Sequence, residues 1–342
     1  MKLPFLRGAW LTALALTAAP TLAEPSYHLA NTLTVGGEGS WDYAAFDSTS
    51  GRLFVTRVGG VQVIDSTSGA TLGSVPATAG TRIHGISLAP DLGLGLTGEG
   101  NDGTVAVFDI KSLEVKRRLM LGHSIDSVAY DPASHRAFAF ASDDGLVFAI
   151  DPANGIVLGQ IPLEGGAEGA AADGTGRLFV NLSDKAEIAV IETASLRVSA
   201  RWPLGEGCED PTPLTLDGTR THLFSACRSG IAVMLDARSG KRLASVPIGK
   251  GADAAVFDGG AGLAFVACYD GTLTAIQPKG DKAAVIQTIK TQPGARIVTL
   301  DTATHRLFIP VADLGPMLPK TPSAPGRPAI VPDTFRILTI EP

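Results

Sequence analysis

The sequence predicts an all-β chain, a seven-bladed β-propeller closed by pairing an N-terminal outer strand with the C-terminal blade. Three observations carry this. First, WDYAAFDSTSGRLFV from Trp41, SIDSVAYDPASHRAF from Ser124, ADAAVFDGGAGLAFV from Ala252 and ARIVTLDTATHRLFI from Ala295 align as one repeat. A period of about 40 to 50 residues holding four short β segments marks a propeller blade, because one small sheet cannot bury both faces until neighbours stack on it. Second, first strands expected from Trp41, Ile83, Ile125, Ala167, Pro211, Ala252 and Ala295 make seven blades. Third, the last blade lacks its outer strand and a spare strand precedes the first blade. The composition agrees: 40 glycines, 45% hydrophobic and 6% aromatic residues suit short Ala/Val/Leu strands joined by tight turns and exclude disorder for most of the chain.

Residues 1–23 are foreign to the repeat. Lys2 and Arg7 precede the apolar run Ala9–Leu16, and small residues end at Ala23 before Glu24. This is the pattern of a secretory signal peptide cleaved after Ala23, and the run is too short for a good transmembrane helix. A mature domain of residues 24–342, exported to the periplasm, is expected. The formal net charge of −6 becomes more negative once Lys2 and Arg7 are removed. An acidic surface argues against nucleic-acid binding, and the mature chain is expected to be a monomer with no membrane span.

Within each blade, strand a is apolar and ends near Asp, strand b is RLFV-like, strand c is apolar and ends in an acid, and Gly69, Gly155 and Gly240 mark c–d turns. Strands b and c are clear at Arg52–Val55 with Val61–Asp65, and at Arg177–Val180 with Ile188–Glu192. The acids ending strand c, Asp65, Asp109, Asp151, Glu192 and Asp236, recur with the blades and are expected to hold turns. Blade seven supplies a, b and c, the last at Phe335–Ile340. Its missing outer strand is Thr32–Gly36, and pairing the two removes the free edges. Six or eight blades would leave one of these segments unpaired.

Cys208 lies just before strand a of blade five and Cys227 ends its strand b, so both fall at one end of the blade. They are the disulfide candidate, suited to an oxidising compartment, with Cys268 left as a buried thiol. Three free thiols or a Cys227–Cys268 bridge fit the geometry less well.

The phrases Val61–Gly69, Arg82–Asp91 and Gly174–Asn181 resemble YncE-like, YVTN-type β-propeller proteins over essentially the whole mature chain. The resemblance implies the propeller fold and says little of activity. WD40 proteins match less well, since their Trp-Asp dipeptide ends strand c, whereas Trp41-Asp42 opens strand a here.

One column of the repeat, at the start of strand a, reads Asp42, His84, Asp126, Glu168, Thr212, Asp253 and Arg296. Strand a is innermost and starts at the same face in every blade, so these residues are expected to converge on the channel mouth. Glu209 and Asp210 lie just upstream of Thr212 and are added to the set. Four carboxylates around a narrow pore repel, and relief comes from protons, from Arg296 and His84, or from a cation. A hydrated structural cap is the alternative. The b–c connection of blade seven, residues 313–334, is Pro-rich, too much so for a strand, and long enough to reach over the channel; long loops in compact domains are often functional.

No Ser/His/Asp set, P-loop, CxxC pair, HExxH or CxxCH occurs. His84 is the best candidate base or ligand. His123 is expected near the same rim, and His135, His222 and His305 are expected to be structural. Gly36–Gly39 and Gly165–Gly169 precede no helix and are blade connections. The expected function is an exported, non-enzymatic propeller that engages a small ligand, a metal-containing cofactor or a periplasmic protein partner at the mouth. The alternative is a propeller enzyme, a metal-assisted hydrolase or lyase or a quinoprotein-like oxidoreductase, with a divalent cation held by Asp42, Asp126, Glu168 or Asp253.

Overall fold

The computed structural model describes residues 26–100, 102–319 and 326–342. The expected signal peptide lies outside these residues. Seven four-stranded antiparallel sheets account for all but one short hairpin among the described strands, and six of them are simple a-b-c-d meanders in chain order. The fold is a seven-bladed β-propeller. Among the described residues no helix is long and apolar enough to cross a membrane.

Strand a runs Trp41–Asp47, Ile83–Ala89, Ala167–Ala172, Pro211–Leu216 and Ala252–Asp258 in blades one, two, four, five and six, starting where the repeat placed it. Blades three and seven differ. Their strands are Ser127–Asp131 and Thr299–Asp301, not starting at Ile125 and Ala295. In blade three the Asp126 amide still reaches the Phe140 carbonyl at 3.0 Å. In blade seven Pro293 has no amide to donate, Gly294 adopts φ 87°, and the resulting turn bonds the Ala295 amide to the Gln292 carbonyl, delaying the strand.

The seventh sheet is built from both chain ends: strand His28–Thr34 pairs with Arg336–Glu341, which pairs with Arg306–Val311. The outer strand ends earlier than Thr32–Gly36 implied, because Gly36 and Gly37 take φ 75° and 85° and turn the chain out of the sheet. Just before it, Tyr27 is buried in the core, its ring edge-on to Phe265 and its hydroxyl donating to Asp258 Oδ2 at 3.1 Å.

The core lies between adjacent blades. Strand-b phenylalanines Phe54, Phe138, Phe179, Phe224, Phe265 and Phe308 are buried, each contributing about 1.5–3 kcal/mol by removal from water. At the face opposite the mouth, the Asp that ends strand a caps the a–b turn, as Asp47 does for the Thr49 amide and Asp173 for the Thr175 amide. The strand-b arginine then reaches the next blade: Arg177 Nη1 donates to the Ala237 carbonyl at 2.9 Å. The strand-c acids Asp65, Asp109, Asp151 and Asp236 accept turn amides. Glu192 departs from that expectation and accepts from the Ser199 hydroxyl across the c–d pair, where its longer side chain reaches.

His135 and His305 occupy left-handed turn positions immediately before strand b and His222 opens it; each pairs with a carboxylate, of Asp91, Asp258 and Asp217 respectively. Cys208 and Cys227 form a disulfide, and Cys268 is a buried free thiol, pushed up to about 12 by burial and Asp270. Segment 313–334 differs from its expected form. Despite its prolines it contains a hairpin, Leu314–Met317 paired with Pro328–Ile330. A two-stranded ribbon has two free edges, so a residue without an amide proton is tolerated there.

Candidate binding site at the channel mouth

The seven column residues line one pocket of about 260 Å³. What aims them is irregular backbone. In blades one, two, four, five and six the a–b register shifts between the first paired residue and Ala44, Ile86, Ala170, Leu214 or Ala254, so Asp42, His84, Glu168, Thr212 and Asp253 each sit in a bulge. Asp126 and Arg296 precede their strands. A bulge releases a side chain from the alternation of the strand and re-aims it. Two glycines make room: a Cβ on Gly85 would lie 2.6 Å from Ser127 Cα, and one on Gly169 2.5 Å from the Thr212 carbonyl oxygen.

The charges divide into two sides. On one, Asp42 receives His84 Nδ1 at 2.9 Å, Arg82 at 3.2 Å and Arg296 at 3.1 Å. Burial works to raise its carboxyl, but His84, Arg296 and Arg82 more than offset this and hold it below the usual range. Arg296 also pairs with Asp253, and although burial opposes its charge, Asp253 and Asp42 raise it above the ordinary arginine value. On the other side, Glu168 makes no salt bridge among the described residues. Burial, then Asp253, Asp126 and Asp210, push it up to about 7. Asp126 is also raised, chiefly by burial, against a hydrogen bond from Ser142.

Tyr43 lines both the mouth pocket and an inner channel cavity of about 210 Å³. Burial, with the carboxylates of Glu168, Asp42, Asp253 and Asp126, raises its phenol well above the ordinary value. Thr212 is buried and its hydroxyl turns to the Asp210 carbonyl at 3.4 Å. Glu209 and Asp210 are exposed on the rim and do not line the pocket; Asp210 lies 3.8 Å from Arg228. His123 pairs with Asp144 at 2.8 Å and does not line the pocket either.

Arg82, Arg228, Ser142 and Tyr43 join the site without having been singled out in the sequence. Arg228 approaches Asp253 at 3.7 Å and directly follows Cys227. It occupies a b–c connection, the part of the blade that borders the mouth, which was the available signal. Among the described residues no group of three or more His, Cys, Asp or Glu is placed to hold a metal ion. The mouth offers guanidinium and imidazole groups beside carboxyls that burial raises.

No family model matches the chain, and no curated protein matches it. Solved structures do. A chain of the crystal structure of the Mitotic Checkpoint Complex superposes with a TM-score of 0.73 at 12% identity, covering 89% of this chain and 95% of that one. The structure of U3-55K gives 0.77 at 9% identity, covering 92% and 99%. At these identities the likeness is one of fold.

Proposed function

We propose that this chain is an exported, YncE-like propeller that binds a small ligand at the channel mouth. The observation that carries the reading is convergence: one residue from each of seven blades, far apart in sequence, lines a single polar pocket. Pockets with convergent polar groups and perturbed ionisation are where ligands bind. A hydrated cap needs no such division between an ion-paired side and one whose carboxyls are raised by burial. Export and periplasmic residence rest on the signal-peptide pattern of residues 1–23. Protein partners remain compatible with the fold, since the structural neighbours named above include a component of a complex.

A second reading, proton-transfer catalysis, is favoured by Glu168. A carboxyl held up to about 7 can donate a proton at neutral pH, and Asp42 orients His84 as a base. The first test is native mass spectrometry of protein purified from the periplasm without chelator. A near-stoichiometric small molecule, lost from Asp126→Ala/Glu168→Ala protein that still melts cooperatively, is the expected result. Empty wild-type protein would make the mouth a structural cap.

A further inference from the structure

Above the ring lies a second pocket, of about 310 Å³, between the rim and the blade-seven hairpin. Four guanidinium groups face it, those of Arg82, Arg228, Arg296 and Arg327, and no carboxylate is among its lining residues. The carboxylates that answer them line the channel-mouth pocket below or lie on the outer rim. Asp42 takes Arg82 and Arg296, Asp253 takes Arg296 and stands 3.7 Å from Arg228, and rim-exposed Asp210 stands 3.8 Å from Arg228. Arg327 makes no salt bridge among the described residues, and its carbonyl is fixed by the Leu318 amide at 2.8 Å. Burial lowers Arg82, Asp42 works against this, and Arg327 and Arg296 lower it further, so Arg82 feels the repulsion of these two neighbours.

The remaining walls are mostly apolar, with the flat rings of Trp41 and Tyr269 beside Leu314, Pro328 and Ile330, and Ser40 as a polar member. The hairpin is seated by Arg336, which bonds Asp313 and Gln292 at 2.6 Å each. Resting on the mouth-binding reading, we infer that the ligand is a small organic anion with a flat apolar body, its acid group on the arginines and its body between Trp41 and the hairpin. Guanidinium forks match carboxylate, sulfonate or phosphate oxygens in pairs, and they stack on flat rings. The volume is at the low end for small-molecule pockets.

Two probes with the same body separate charge from shape: 8-anilinonaphthalene-1-sulfonate and uncharged N-phenyl-1-naphthylamine. Fluorescence titration of the full mature chain is expected to show one saturable sulfonate site, with the uncharged probe about tenfold weaker or worse. Arg327→Gln touches no ion pair and is expected to weaken the sulfonate several-fold at an unchanged melting temperature. Tyr269→Ala weakens both probes. Equal binding of the two probes, or a sulfonate affinity indifferent to Arg327→Gln, overturns the inference. If that happens while the copurifying ligand still depends on Asp126 and Glu168, the mouth-binding reading survives alone. If the sulfonate tracks Arg327 while the purified protein is empty, the anion pocket stands and the reading of the ring falls.

Discussion

Glu168 is a ring carboxyl held far from its ordinary ionisation. Its ordinary value is 4.5 and its folded value about 7, with Asp126, Asp253, Asp210 and Arg228 as the charged groups acting on it. Between those two values the folded chain holds a proton that the unfolded chain has lost. Stability therefore falls as pH rises through that window and levels off above it. Asp126, also raised, acts in the same direction from its lower starting point, whereas Asp42, held low, loses its contribution only in more acid solution. Glu168→Gln is expected to flatten the fall between about pH 5 and pH 8 in urea titrations; an unchanged slope would mean that Glu168 ionises normally. Arg296 is the counterpart, one cation between two buried acids. Arg296→Ala leaves Asp42 and Asp253 short of charge and should cost about 3–5 kcal/mol at neutral pH. Adding Asp253→Asn should recover part of the loss, measured in the same titrations.

At the scale of strands and loops, the period made the column legible, since Asp42, His84 and Asp126 recur about every 42 residues with no other signal needed. The bulges that aim these side chains were not legible, because a bulge is a property of register between two strands and here has no fixed residue type. Arg82, Arg228 and Arg327 escaped for a related reason. They lie in connections between strands, which vary from blade to blade, and only the folded ring brings them together. The blade-seven hairpin was obscured by prolines that would exclude a central strand but not a free-edged ribbon. The disulfide at Cys208 and Cys227 closes the turn that presents Arg228. Replacing both cysteines by serine should cost about 2–4 kcal/mol, read from urea midpoints. It should also weaken sulfonate-probe binding, through freer motion of Arg228.

For the whole molecule, closure concentrates at one seam. Phe335 lies between Trp41, with ring centroids 5.5 Å apart, and the guanidinium of Arg57, 3.8 Å from its centroid. Arg57 is buried there and held down to about 10 by that burial. Tyr27 extends the seam into blade six through Asp258, which also accepts from His305. Tyr27→Phe keeps the ring packing and removes one buried hydrogen bond to a charged acceptor, an expected loss of about 1.5–3 kcal/mol in chemical denaturation. A loss near zero would mean that His305 and the Gly260 and Ala261 amides already satisfy Asp258.

The pairing of His28–Thr34 with Arg336–Glu341 sets His28 opposite Glu341, so the two ends of the folded chain are neighbours. Six sheets assemble from contiguous sequence, while the seventh waits for partners about 300 residues apart, the longest loop closure the chain can require. A circular permutant that joins these ends by a short linker and opens a connection between two other blades would turn this pairing into a local hairpin. The same contacts would then form at a lower contact order, and folding is expected to be faster.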